Sequence, residues 1–130
     1  MNLTRAASYA IHALVFLAAQ GRNRPMASHK IARARDIPER FLVKVLRPLV
    51  FVRILHSLKG PNGGYRLARA ASEITMLEVV EAVDGPIRGQ SAASTVGNLD
   101  RRLNEIFSQA AEQIRKQFRK VRISELAGKS

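Results

Sequence analysis

Arg40, Lys44 and Arg47 stand at i, i+4 and i+7 of one segment, so a helix there would set three cations along one face. Such a row suits a line of anions, and arginine matches the paired acceptors on the major-groove edge of guanine. Glu39 beside it can accept from cytosine or orient Arg40. Taken alone, the row is equally the solvated basic edge of an ordinary amphipathic helix. A second cluster is more distinctive. Lys59-Gly60-Pro61-Asn62-Gly63-Gly64-Tyr65-Arg66-Leu67 follows the apolar run Ile54–Leu58 and ends in a second one, with Lys59, Asn62 and Arg66 as its polar groups. Glycine and asparagine accept the positive φ of tight loops, so the segment reads as a β-hairpin with a basic tip. Thr4, Arg5, Ser28, His29 and Lys30 gather at two expected helix starts, where amides, hydroxyls and cations suit phosphate oxygens.

Other chemistries lack their parts. His12, His29 and His56 are dispersed, with no carboxylate or thiolate at metal-ligand spacing, and His12 reads as a packing or hydrogen-bonding residue. The glycine-rich tip has no terminal Lys-Ser/Thr and no following helix, which argues against nucleotide hydrolysis. Ser91 and Ser94 have no placed histidine, and Glu78 is accounted for by helix capping, Glu81 and Asp84 by solvation. Nothing supports an enzyme, and no cofactor is expected.

The elements that must carry these groups follow from periodicity. A first helix is expected from about Thr4 to Gln20, with Ala7, Ile11, Leu14, Val15 and Ala18 on one stripe and Gly21 as its stop. Ser28 is expected to cap a short helix over His29–Arg35, with Ile31 and Ala32 inward. Asp36-Ile37-Pro38 makes a turn, and Pro38 opens a third helix to about Val52 that buries Phe41, Leu42, Val45, Leu46 and Leu49. Pro48 inside it predicts a kink or an end nearby. A helix-turn-helix followed by a basic hairpin is a winged helix, and this order points to DNA more strongly than either part. Thr75 and Glu78 form a capping box for a helix to Asp84, stopped by Gly85-Pro86. Residues 87–98 are small, polar and patternless and read as a flexible loop. From Leu99 to Lys120, the residues Leu99, Leu103, Ile106, Phe107, Ala110, Ile114 and Phe118 make one apolar stripe about 30 Å long. It either folds back on its own domain or, as preferred here, pairs with the same helix of a second copy.

Composition agrees. At 130 residues the chain can bury a core without staples. It has no cysteine, hence neither disulfides nor thiolate ligands. Residues 13–19 faintly resemble a secretion signal, but Ser8, Tyr9 and His12 interrupt the run. No stretch approaches the roughly 20 apolar residues of a membrane span, so a cytoplasmic protein is expected. The net charge of +12 is uneven: residues 1–70 hold 13 Lys/Arg against two acids, and residues 71–130 hold nine against eight. A basic first half suggests a polyanion-binding module, and a near-neutral second half a separate task.

Leu3-Thr4-Arg5 with Tyr9-Ala10 and Ala13-Leu14, Ile37-Pro38-Glu39-Arg40-Phe41-Leu42, the Gly60–Leu67 wing, and Ile74-Thr75 with Glu81-Ala82-Val83-Asp84-Gly85-Pro86 are carried in collinear order. In these motifs the chain resembles the Rrf-two family of bacterial transcription regulators, the IscR, NsrR and CymR group, over nearly its whole length. The resemblance implies homodimeric winged-helix proteins that bind palindromic operators through the chain start, the recognition helix and the wing, and that dimerise through the long helix. Many relatives hold an iron–sulfur cluster on three cysteines in the loop that is 87–98 here. Gln90, Ser91, Ala92, Ala93 and Ser94 offer no thiolate, and hydroxyls do not replace soft anionic sulfur. The chain thus reads as a cysteine-free, cluster-less branch, the alternative being that cysteines have been replaced.

The expected architecture is mainly α with a small β-hairpin wing. It comprises a winged helix-turn-helix over 1–86, a loop over 87–98, and a dimerisation helix with a tail over 99–130. The expected function is a DNA-binding regulator, a homodimeric repressor on a palindromic operator, with double-stranded DNA and a second copy as partners. The rivals are a nonspecific basic nucleic-acid-binding protein, separable by competition with unrelated DNA, and a small-molecule-responsive regulator with an effector pocket beside the long helix.

Overall fold

The computed structural model describes residues 2–21, 23–88 and 97–128. In order these form α1 (Arg5–Gln20), α2 (Ser28–Arg35), α3 (Glu39–Phe51), β1 (Leu55–Leu58), β2 (Gly64–Leu67), a 3-10 turn (Ala71–Glu73), α4 (Met76–Asp84), α5 (Asn98–Lys120) and α6 (Ile123–Gly128). Among the described residues no helix is long and apolar enough to cross a membrane.

Helix α1 starts where Thr4 accepts the Ala7 amide at 3.0 Å and ends at Gly21, whose φ is +96°. Its buried surface is wider than the expected stripe, because Ala7, Ala10 and Ala13 are fully buried with Leu14, Val15 and Leu17, whereas Ile11 and Ala18 are half-buried. Alanine lets neighbouring backbones come close, and α1 packs against α2, α3, α4, α6 and β2. The shared core joins Leu14 and Leu17 to Ile31, Leu42, Leu46 and Leu49.

Two helix starts differ from expectation. Ala27, not Ser28, is the N-cap of α2, and no side chain caps it. The Ser28 hydroxyl instead donates to Glu39 Oε2 at 2.8 Å. Pro38 stands one residue outside α3 as its N-cap. Phe41, expected in the core, is 41% exposed, since Leu42, Val45, Leu46 and Leu49 already fill the inward face. The helix runs through Pro48 and stops one turn later. There Arg53 adopts φ +63°, its amide reaches Val50 O at 3.0 Å, and the Ile54 amide reaches Leu49 O at 2.9 Å, the pairing of a Schellman stop.

The hairpin is antiparallel, pairing Leu55 with Leu67, His56 with Arg66, Ser57 with Tyr65 and Leu58 with Gly64. A third piece of backbone joins it. Met26 and Tyr65 exchange hydrogen bonds of 2.9 and 2.8 Å, fixing the wing to the segment that leads into α2. Gly64 makes this approach feasible: its φ is +140°, and a Cβ there would collide with the Met26 carbonyl and stand 2.7 Å from the Ala27 amide nitrogen.

The Thr75–Glu78 capping box is present. The Thr75 amide donates to Glu78 Oε2 at 2.9 Å, and the Glu78 amide donates to Thr75 Oγ1 at 3.1 Å. Arg69 adds an ion pair to Glu78 at 2.9 Å. The tail forms α6, which sequence periodicity did not reveal. The Met76 amide donates to Val121 O at 2.8 Å and the Ile123 amide to Ile74 O at 2.9 Å, so Ile123 is fully buried and Leu126 and Ala127 pack on the core.

Two stability effects follow. Gly64→Ala should cost about 1–3 kcal/mol in urea unfolding, because strained φ and a backbone collision coincide; an unchanged midpoint would show that the wing is not seated on Met26. Burial alone would raise the Glu78 carboxyl, but the Thr75 amide, Arg69 and the Thr75 hydroxyl outweigh it and hold it below its ordinary value. A depressed folded-state value means stabilisation that is complete above the unfolded carboxyl range, near about 4.3, and lost as pH falls through the folded value. Thermal melts of Glu78→Gln should therefore lie below wild type near neutrality and converge with it on acidification. A constant gap would contradict the assignment.

Candidate nucleic-acid interface

The turn between α2 and α3 is built on Asp36, which takes the left-handed conformation at φ +55° and sends its amide to the α2 carbonyls of Ala32 and Arg33. The buried Ile37 follows, its amide on Ala32 O at 2.9 Å. With the Ser28–Glu39 bond, this sets the start of α3 beside the start of α2. Glu39 was expected to face a base or Arg40. In this structure its carboxylate receives Ser28, so the two groups are first of all a clasp between the helices.

Arg40, Lys44 and Arg47 are exposed along α3. The Arg40 guanidinium lies 5.0 Å and the Lys44 ammonium 5.9 Å from the centroid of the Phe41 ring, a cation–π arrangement at the first turn. Arg5 at the start of α1 shares with Phe41 and Lys44 a small cavity of about 240 Å³, whose apolar walls are Ala6, Tyr9 and Val45. Thr4 is placed differently from Arg5. Its hydroxyl accepts the Ala7 amide and donates to the Asp84 carboxylate, with oxygens at 2.7 and 2.9 Å, so its single proton is committed to α4.

On the other side of the α2 start, His29 and Lys30 face the wing tip. Arg24, Pro25, Ala27, His29 and Lys30 line one wall of a cleft of about 340 Å³, and Pro61, Asn62 and Gly63 line the other. Lys59 and Asn62 are exposed at the tip, whereas Arg66 is half-buried on β2 opposite His56. Wing tip, α2 start, α3 start and α1 start are therefore consecutive neighbours. Arg24, Tyr9 and Phe41 belong to these stations although sequence reasoning did not select them. For Arg24 the signal was present, since it is a cation next to Pro25 just ahead of the helix-turn-helix.

Two carboxylates expected to be solvated are engaged. Asp84 receives Thr4, and Glu81 pairs with Arg115 of α5 while accepting the Ile87 amide at 2.9 Å. A readable sign existed: acids in the last turn of a helix oppose its dipole and need a donor elsewhere. His12 is also explained. Arg35 Nη2 lies 2.7 Å from His12 Nδ1, and because a guanidinium has no acceptor, the imidazole nitrogen accepts.

The loop expected to sense in relatives, 87–98, falls largely on 89–96, outside the described residues. Leu99, Ile106 and Phe107 on α5 are 70%, 55% and 45% exposed. Ala110 is exposed, Leu103 half-buried, and Ile114 and Phe118 half-buried beside Thr4, Met76 and Val80. Ala111, off the expected stripe, is the residue that α5 buries.

A model of the family Rrf2, described as an iron-dependent transcriptional regulator, matches residues 3–129. BadM of Rhodopseudomonas palustris is 32% identical over 127 residues, 97% of this chain and 81% of that protein. Protein aau3 of Rhizobium meliloti is 40% identical over 84 residues, 65% of this chain; with that relative the match spans 54%, about half, of its length. Among solved structures, CymR of B. subtilis, titled the global cysteine regulator of that organism, superposes with a TM-score of 0.82 at 19% identity, covering 100% of this chain and 98% of its own. IscR of T. potens gives 0.77 at 16% identity, over 99% of this chain and 88% of its own. At these identities the structural likenesses establish the winged fold alone.

The iron in the family's description finds no fitting donors here. The chain has no cysteine, residues 89–96 contain no histidine, aspartate or glutamate, and among the described residues no three such groups converge. Glu78, Glu81 and Asp84, the acids of the helix that precedes that loop, are engaged with Thr75 and Arg69, with Arg115, and with Thr4. On the match of nearly its whole length, the chain belongs to the Rrf2 family of transcription regulators.

Proposed function

We propose that this chain is a sequence-specific DNA-binding regulator that acts as a homodimeric repressor on a palindromic operator. The observation that carries the reading is the row Arg40, Lys44 and Arg47, exposed on α3, with Arg5 beside it at one end and the α2–wing cleft next to the Ser28–Glu39 clasp. In this reading α3 enters the major groove, and Arg40 reads guanine from its first turn. Lys44 and Arg47 line the groove beside it, and Glu39 holds the helix start through Ser28. Lys59, Asn62 and Arg66 of the wing, with His29 and Lys30, follow the phosphates. Thr4 serves by fixing the helix start that carries Arg5.

The dimer rests on α5. Residues 98–110 keep Leu99, Ile106 and Phe107 in water, an arrangement that a second copy would relieve by covering the same face. A domain over 1–86 that binds DNA and a segment over 99–130 that pairs copies is the corresponding division of labour, with α6 returning to the first core. One observation favours responsiveness to a small molecule as well. A cleft of about 370 Å³ between the chain start, α4 and α5 is lined by Leu3, Thr4, Met76, Val80, Ile114 and Phe118, and Thr4 connects it to the DNA-facing start of α1.

Two experiments test the reading. In competition assays at several salt concentrations, Lys59→Ala with Arg66→Ala should weaken binding to all duplexes alike and lower the salt slope by about 0.9 per lost phosphate contact. Arg40→Ala should instead relax preference at one base pair by about 1–3 kcal/mol. A uniform loss for Arg40→Ala would remove it from base recognition, and no preference in the wild type would leave only charge. For the dimer, Ile106→Asp with Phe107→Asp should sediment as a folded monomer with weakened operator binding, since two half-sites would no longer be tethered. A folded dimer would place the interface elsewhere.

A further inference from the structure

Phe41 is set apart from the more exposed Phe51 and Phe107 by the cations around its ring. It lies in the first turn of α3, is 41% exposed, and is flanked by Arg40 at 5.0 Å and Lys44 at 5.9 Å from its centroid. Its ring also walls the cavity shared with Ala6, Tyr9 and Val45, whose remaining lining residues are the cations Arg5 and Lys44. An occupant must therefore be apolar where it meets the ring and adjacent to negative charge. A free apolar molecule has no use for the cations, and a bare phosphate has no use for the ring.

One DNA group meets both demands in a major groove. The C5-methyl of thymine is the apolar group on base edges there, and phosphates of its own strand lie nearby. The cation row can distinguish guanine through its paired acceptors but offers nothing that favours thymine. We infer that Phe41 is a specificity-determining residue that packs on a thymine methyl, with Arg5 and Lys44 meeting the flanking phosphates. This rests on the DNA-binding reading above. Arg40 and Lys44 lie within cation–π reach of the ring.

Duplexes enriched from a random library by the full-length protein provide the probe. Each thymine is then replaced singly by deoxyuridine, which removes the methyl and preserves base pairing. At one or more positions the wild type should lose about fourfold in affinity, the factor for one buried methyl at about 0.8 kcal/mol. Phe41→Ala should bind the thymine and deoxyuridine duplexes equally, and Phe41→Leu should retain most of the difference. Circular dichroism checks the fold of both variants, with Phe41→Asn as a second apolar-contact deletion. Wild-type affinity indifferent to every methyl, or a methyl response that survives in Phe41→Ala, would overturn the assignment while leaving the regulator reading intact. Enrichment of no preferred sequence would overturn that reading, and this inference with it.

Discussion

The burial of α1 governs the rest of the molecule. Ala7, Ala10 and Ala13 have no exposed surface, and only side chains that small let α2, α3, α4 and α6 surround one helix at close range. Helix α3, the hairpin and α6 therefore draw on one core and not on separate ones. A larger side chain at any of these three alanines would push apart elements whose relative placement sets the basic surface. Thr4 extends the constraint to the polar layer, because the residue that caps α1 is also bonded to Asp84 at the end of α4.

Charge is arranged by where acids are occupied. Among the described residues, Glu78 is engaged by Thr75 and Arg69, Glu81 by Arg115 and the Ile87 amide, Asp84 by Thr4, and Glu39 by Ser28. The ion pairs formed there involve Arg69 and Arg115, not the α3 row. Acids thus stabilise helix ends and junctions, and the cations of α3 stand exposed. The uneven charge of the two halves has this structural counterpart.

Local rules made most elements legible. The capping box at Thr75, the stops at Gly21 and Gly85, and the glycine-rich hairpin each depend on residues close in sequence, so spacing alone reveals them. What stayed hidden depended on distant partners. Ser28 has the chemistry of an N-cap, but the carboxylate of Glu39, eleven residues on, took its hydroxyl. Phe41 follows the apolar period, yet Leu42, Val45, Leu46 and Leu49 had already filled the space that α1 leaves. The segment after Lys120 is too short for periodicity to identify, and α6 owes its place to backbone bonds with Ile74 and Met76. The same holds for the Met26–Tyr65 bridge, which no pattern within the hairpin announces.

The anchoring of α5 has a mechanical consequence. Its grip on the body is concentrated around Ala111, Ile114 and Arg115, whereas residues 98–110 extend for about 20 Å at a rise of about 1.5 Å per residue. That geometry is a lever with its fulcrum at the Glu81–Arg115 pair. Tilting it by about 10° would carry the far end through about 3.5 Å. An angular change at that single ion pair would thus be multiplied along the exposed length of α5.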